Sequence, residues 1–278
     1  MRSKRKSKSW NKNLKNLKIV CWNPWGLCNE RFVYCRALNY DVIGLTELHN
    51  TQNKKQWKNK VWITSEDSQL DDDGNVLDPA TGDGILLSPI FAKKVLGKGS
   101  SNRKQNCLGS SGGPYLPSIH CVCLCSTWIQ EDRSPRTRHS QATERPACRL
   151  QEKKKSDCLI IMGDMNCELQ RNVPGCCGKW FMNKRPDNGH SDDLLTVMRE
   201  HDLFAVDSMF RPKRSRMFCN QRKRVCNATY LQKHSISRPK KLDYFLVSNR
   251  WRSSVTSSST KWAPSIHRFG KSFDHWLL

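Results

Sequence analysis

The chain is short of acidic residues and has no apolar run long enough to cross a membrane. Its 278 residues include 25 Asp and Glu against 48 Lys and Arg, which gives a net charge of +23. A spanning helix needs about 20 consecutive apolar residues, and the polar, basic start does not resemble a secretory signal peptide. We therefore expect a soluble intracellular protein, acting in the nucleus. Its excess positive charge favours a polyanion partner, and nucleic acid is the first candidate.

The positive charge is concentrated in two places. Eight basic residues and no acid lie within residues 1–18, and this run predicts a disordered basic tail over residues 1–16. The remaining residues, 17–278, are enough for one large domain with a full core. A second stretch, Arg211–Arg224, has seven basic residues in 14 and no acid. We predict that this stretch binds nucleic acid through Arg211, Lys213, Arg214, Arg216, Arg222, Lys223 and Arg224.

The 14 cysteines lack a convincing zinc pattern. Structural zinc ligands usually come in pairs separated by two to four residues, whereas Cys21 and Cys28 are seven apart and Cys176 and Cys177 are adjacent. Disulfides are not expected without a secretory signal. We expect the cysteines to act mostly as small hydrophobic residues.

Apolar segments of this chain repeatedly run into a carboxylate or an amide. Polar residues at the ends of buried strands usually face a shared crevice, where open α/β sheets hold their ligands. Carboxylate oxygens suit Mg²⁺, and an imidazole can move a proton. The pattern therefore predicts a metal and phosphate site. The segments are Leu17–Trp22 before Asn23, Val42–Thr46 before Glu47, Cys158–Gly163 before Asp164 and Asn166, and Leu242 before Asp243, with the pair Asp274–His275 near the end.

Periodicity predicts the remaining elements. Helical spacing favours helices over Cys28–Tyr40 and Asn188–Leu203, and Phe204–Ser208 is read as a further strand. The tract Cys107–Glu152 has few aliphatic residues, and only Ile119–Trp128 within it resembles a strand. We interpret this tract as an insertion or as a segment translated in a shifted frame.

Five of these segments together resemble the endonuclease/exonuclease/phosphatase superfamily, which includes apurinic endonucleases and DNase I-like enzymes. The likeness is greatest to the endonuclease domains of LINE-type retrotransposons, of the craniofacial development protein 2-like kind. The motifs follow the superfamily's order over most of residues 17–278, which makes the resemblance specific. They are Trp22–Leu27, Asp41–Glu47, Gly163–Asn166, Lys241–Ser248 and Phe273–His275.

The resemblance implies an α/β fold: a DNase I-like, four-layer sandwich of two mixed β-sheets flanked by helices. It also implies a Mg²⁺ or Mn²⁺ ion at the sheet edge. Glu47 would hold the metal with the help of Asn23, and Asp274 would join the metal environment.

The same resemblance implies catalytic roles. Asp164 would orient or activate the attacking water, and Asn166 would hold the phosphate or the transition state. His275 would contact the scissile phosphate, oriented by Asp243. The reaction is then in-line hydrolysis of a phosphodiester.

One departure from the superfamily bears on activity. Its V-Y-x-P strand corresponds here to Cys123–Thr127, which has neither Tyr nor Pro. A cysteine at Cys125 cannot donate the hydrogen bond that a phenol gives to a phosphate. The main hypothesis is a metal-dependent DNA endonuclease from a non-LTR retrotransposon. The alternatives are a catalytically impaired remnant that only binds nucleic acid, and a phosphatase of the same fold.

Overall fold

The computed structural model describes eleven parts of the chain: residues 17–24, 29–48, 61–64, 83–92, 95–100, 107–111, 119–124, 156–181, 189–212, 227–230 and 240–260. The basic tail, the pair Asp274–His275 and most of Arg211–Arg224 lie outside these residues. No helix in these parts is long and apolar enough to span a membrane.

A first sheet has four strands in the described residues, β1 (Ile19–Trp22), β2 (Val42–Leu45), β3 (Val61–Thr64) and β4 (Gly84–Leu87). Their order is β1-β2-β4-β3. The pair β1 and β2 is parallel, and the other two pairs are antiparallel.

A second sheet has six strands in the described residues, in the order β5-β6-β7-β8-β10-β9. The pair β7 and β8 is parallel and the other neighbours are antiparallel, so both sheets are mixed. The strands are β5 (Val95–Ser100), β6 (Cys107–Ser111), β7 (Ile119–Leu124), β8 (Cys158–Asp164), β9 (Leu203–Ala205) and β10 (Asp243–Ser248).

Three α-helices lie within the described residues, α1 (Asn29–Ala37), α2 (Pro89–Ala92) and α3 (Gly189–Glu200), together with 3₁₀ helices at Val206–Met209 and Asn249–Ser254. The two longer helices fall inside the predicted helical segments. In α3, Leu194, Leu195 and Met198 are buried, which is the spacing of one helix face.

The core forms three apolar layers, as expected when the side chains of each strand alternate between its two faces. Val20, Trp22 and Ile43 pack on the side of α1. Cys21 and Val42 from the first sheet meet Ile160, Met162, Phe245 and Val247 from the second. Leu159, Ile161 and Tyr244 pack with α3 on the far side. The predicted four-layer sandwich is confirmed.

Two predictions about elements were wrong. Cys107–Ser111 forms strand β6, although its sequence does not resemble a strand. Backbone pairing with β5 and β7 holds it in place, which local side-chain pattern does not reveal. Phe204–Ser208 is only partly a strand, because β9 ends at Ala205 and a 3₁₀ helix follows.

Candidate active site

The strand directions bring the predicted polar residues to one edge of the sandwich. Strands β1 and β2 are parallel, so Asn23 and Glu47 follow them at the same end. Strand β10 is antiparallel to β8, and its first residue, Asp243, lies opposite Asp164, the last residue of β8. Strand β1 contacts both β8 and β10. The ends of these three strands that carry polar residues therefore lie at the same end of the two stacked sheets.

Side-chain alternation puts three of these residues on the inner faces of the sheets. Cys21, Met162 and Phe245 belong to the layer between the sheets. Asn23 and Asp164 lie two residues after Cys21 and Met162, and Asp243 lies two before Phe245, so all three continue the same faces. Each is buried. The inner apolar layer therefore ends in a group of buried polar side chains.

Hydrogen bonds fix both oxygens of the Asp164 carboxylate. The amide Nδ2 of Asn23 donates to its Oδ2 at 3.0 Å, from the opposite sheet. The backbone N–H of Asn166 donates to its Oδ1 at 2.9 Å. Asn166 has a left-handed φ of 46°, which asparagine tolerates better than most residues, and it is exposed at the edge. The Asp164 carboxylate is thus held in one orientation, beside the exposed side chain of Asn166.

The neighbouring Asp243 is fixed through its backbone. Thr229 Oγ1 accepts hydrogen bonds from the N–H groups of both Leu242 and Asp243, at 3.1 and 3.0 Å. Side chains directly opposite one another on antiparallel strands have Cβ atoms about 5 Å apart, and like charges there repel. Asp164 and Asp243 are such a pair, so a cation between or beside them would be stabilised.

Burial and the negative charge of this pair both raise the pKa of the Cys21 thiol. Burial raises the pKa of Cys21 well above its ordinary value, and the carboxylates of Asp243 and Asp164 raise it further. Cys21 therefore stays a neutral thiol and acts as a small apolar residue, as the cysteine pattern predicted.

Glu47 follows β2 in a strained backbone conformation, with φ of 52°. Non-glycine residues adopt this region at some cost, often at functional sites. The preceding Thr46 N–H donates to the carbonyl of Trp22 at 3.1 Å, which ties the end of β2 to that of β1. Glu47 is half-buried. Thr46 Oγ1 is buried and has no hydrogen-bond partner within the described residues.

The side chains at this edge carry the type of oxygen donor that a hard cation binds. Glu47, Asp164 and Asp243 offer carboxylate oxygens and Asn23 an amide oxygen, and Mg²⁺ usually takes one or two protein carboxylates and keeps several waters. Within the described ranges no group of three or more Asp, Glu, His or Cys is close enough to hold a metal. Asp274 and His275 lie outside those ranges. The metal and catalytic roles therefore stay predictions.

Two supporting contacts were missed by sequence reasoning. Tyr244 Oη accepts a hydrogen bond from the Leu169 N–H at 2.9 Å and lies 2.9 and 2.7 Å from the carbonyl oxygens of Cys167 and Lys241. It joins the loop after Asn166 to the start of β10. The position of Tyr244 in the Leu-Asp-Tyr motif was the one sequence feature that could have indicated this contact.

The second contact is a buried ion pair, in which Lys241 Nζ lies 2.8 Å from Asp207 Oδ2. Nothing in the sequence around Lys241 suggests burial.

Of the predicted nucleic-acid-binding residues, only Arg211 is described. It is exposed, and its guanidinium lies 5.7 Å from the centre of the Trp180 ring. Lys213, Arg214, Arg216, Arg222, Lys223 and Arg224 lie outside the described residues.

Solved structures share this arrangement of sheets. The catalytic domain of Xenopus laevis APE2 superposes with a TM-score of 0.55 at 13% identity, over 94% of this chain and 90% of that chain. The 3′ phosphatase NExo from Neisseria, bound to a product DNA hairpin, superposes with a TM-score of 0.57 at 11% identity, over 94% and 97%. This chain has the endonuclease/exonuclease/phosphatase fold. An endonuclease/exonuclease/phosphatase family protein from Leptotrichia buccalis also superposes, with a TM-score of 0.52 at 14% identity, over 94% and 97%. The fold predicted from five motifs is confirmed.

Sequence comparison points the same way. Craniofacial development protein 2 from Tragulus javanicus is 21% identical over 225 residues, which are 81% of this chain and 35% of that protein. The protein of the same name from Bos taurus is 20% identical over 225 residues, 81% and 34%. The chain spans about a third of the length of these relatives. No family model matches the chain. The resemblance to craniofacial development protein 2-like sequences is confirmed.

Proposed function

We propose that this chain is a metal-dependent phosphodiesterase, a DNA endonuclease of the kind carried by non-LTR retrotransposons. The observation that carries the proposal is the Asn23–Asp164 hydrogen bond of 3.0 Å between the two sheets, with Asp243 opposite Asp164 in register. Two buried carboxylates and an amide at one end of the two sheets are suited to a cation and a phosphate.

Asp164 is the residue that acts on the attacking water. Its two oxygens accept hydrogen bonds from Asn23 and Asn166, so the carboxylate is already oriented before substrate arrives. A general base contributes by being held within hydrogen-bond reach of the proton it takes. Asn166 is exposed beside Asp164. Its side-chain amide donates a hydrogen bond to a phosphate oxygen.

Glu47 would hold the metal with the help of Asn23 and Asp274, and His275, oriented by Asp243, would contact the scissile phosphate. Mg²⁺ or Mn²⁺, when bound, would counter the charge that develops on the phosphate. In this proposal the Asp243 carboxylate orients the His275 imidazole. The protein works in the nucleus, where its DNA substrate lies.

The decisive experiment compares Asp164→Asn with wild type in plasmid nicking and in DNA binding. Asp41→Asn is the matched control, because the Asp41 carboxylate also accepts a backbone N–H, from Lys18 at 3.0 Å, but lies at the opposite end of the sheets. We expect Asp164→Asn to reduce nicking by roughly 10²–10⁴-fold with little change in DNA affinity, and Asp41→Asn to retain nicking.

Glu47→Gln tests the metal. Its nicking should need a higher Mg²⁺ concentration than that of wild type, since a charged ligand is lost. Wild-type nicking that persists in excess EDTA would overturn metal dependence. DNA binding by the wild type with no nicking at any metal concentration would overturn the endonuclease and favour the impaired remnant.

A further inference from the structure

An aromatic ring near the candidate active site lies close to two cationic groups. Lys179 Nζ lies 5.1 Å and Arg211 Cζ lies 5.7 Å from the centre of the Trp180 ring, both within the usual range of cation–π attraction. We call Lys179, Trp180 and Arg211 the Trp180 cluster. Lys179 and Arg211 are exposed and Trp180 is half-buried. The ring thus keeps two accessible positive charges close together.

The backbone of Trp180 is fixed on both sides. Its N–H donates to the carbonyl of Ser208 at 3.1 Å, and its carbonyl accepts a hydrogen bond from Asn227 Nδ2 at 3.0 Å. Just before it, the Gly178 N–H donates to Ser208 Oγ at 2.6 Å. These contacts hold the ring on the 3₁₀ helix Val206–Met209, so the two charges project from a rigid base.

The same contacts place the Trp180 cluster at the edge of the sheet that carries Asp243. Asn227, which bonds the Trp180 carbonyl, lies two residues before Thr229, which bonds the Asp243 N–H. The Trp180 cluster therefore lies on the β9 side of Asp243 and is joined to it through residues 227–229.

Within the described residues, the two cations of the Trp180 cluster are exposed to solvent. Among the described residues, no carboxylate forms an ion pair with Lys179 or Arg211, and Arg211 begins the seven-cation stretch Arg211–Arg224. Exposed cations beside an aromatic ring are suited to a nucleic-acid backbone.

We propose that the Trp180 cluster is a subsite for the phosphates of a DNA strand, on the β9 side of the scissile phosphate. The position relative to a scissile phosphate rests on the proposed function. The subsite adds Lys179 and Trp180, and a defined place on the fold, to the predicted basic stretch.

The test is a double variant, Lys179→Gln with Arg211→Gln. Its matched control, Lys18→Gln with Arg250→Gln, removes one Lys and one Arg as well. Lys18 and Arg250 are exposed and lie at the opposite end of the sheets, before β1 and after β10. Affinity for a 20-base-pair duplex, a length of about two helical turns, is measured by fluorescence anisotropy in EDTA over a range of salt concentrations. Without metal, binding is separated from cleavage.

We expect the log–log salt slope of the double variant to be shallower by about 0.9 for each lost phosphate contact, and that of the control to stay near wild type. Equal slopes for the two double variants would overturn the subsite. In plasmid nicking, the double variant should raise KM and leave kcat unchanged, because the cluster does not touch the reacting phosphate. A fall in kcat with KM unchanged would overturn it too.

The two proposals fail separately. A wild-type protein that never nicks DNA would refute the proposed function, while the anisotropy comparison would still decide whether the Trp180 cluster binds phosphates. A protein that nicks DNA but shows no difference between the double variants would keep the proposed function and lose the subsite.

Discussion

Replacing one partner of the buried ion pair between Lys241 and Asp207 should destabilise the protein far more than replacing both. The two side chains are 4% and 3% exposed, with Nζ 2.8 Å from Oδ2, so neither charge can recover its hydration if the other is removed. Breaking a buried pair by removing one partner typically costs about 3–5 kcal/mol, whereas replacing both by apolar residues of similar volume is often neutral or stabilising.

The experiment is a double-mutant cycle with Lys241→Met, Asp207→Leu and the combined variant. Free energies of unfolding come from urea titrations followed by tryptophan fluorescence, since the chain has 10 tryptophans. We expect each single variant to lose about 3–5 kcal/mol and the combined variant to recover most of that loss. Single effects that simply add, with a coupling below about 0.5 kcal/mol, would refute the pair.

The pH dependence gives an independent check. Burial raises the pKa of the Asp207 carboxyl above its ordinary value, and the Lys241 ammonium opposes that rise. In Lys241→Met the carboxyl pKa should rise further. A raised folded-state pKa stabilises the folded protein at low pH, and this contribution is lost as the pH rises through that pKa. The stability deficit of Lys241→Met relative to wild type should therefore be smaller near about pH 5 than near about pH 8.

Two further substitutions test the backbone supports of the site. Tyr244→Phe removes the hydroxyl that accepts from the Leu169 N–H and should cost about 2–3 kcal/mol of unfolding free energy, since a buried donor loses its partner; a loss below about 0.5 kcal/mol in urea titration would contradict that role. Gly178→Ala would put a Cβ 2.7 Å from the Ser208 carbonyl oxygen, so we expect a loss of about 1–3 kcal/mol from overpacking. An unchanged thermal midpoint would contradict this prediction and show that the loop around Gly178 can shift to accommodate a Cβ.

Much of the candidate site follows from local sequence. The residues of a strand alternate between faces, so an acid two positions beyond Met162 and another two before Phe245 must continue the face that those residues occupy. The apolar runs into Asn23 and Glu47 gave the other two positions. Glu47 was predicted from its position after β2, although its left-handed φ of 52° means that strand alternation does not fix its direction.

The supports of the site could not be predicted in this way. Thr229, which accepts the N–H of Asp243 at 3.0 Å, lies in a segment with no strand or helix pattern. Trp180 meets Arg211 across 31 residues of sequence. Arg211 was predicted to bind nucleic acid, but nothing in its stretch indicated a contact with Trp180. Strand β6 could not be predicted from its own sequence either, because it is held by backbone hydrogen bonds to β5 and β7.

The sequence by itself determined the fold class, the identity of the strand-end residues and the face that most of them occupy. These are local properties, set by the period of two in strands and by short motifs. Only the tertiary structure decided which strand ends meet, because Asn23 and Asp164 are 141 residues apart and their contact depends on the stacking of two sheets. It also decided that Lys241, a residue normally exposed, is buried. That outcome depends on Asp207 lying close enough to offset the cost of removing both charges from water.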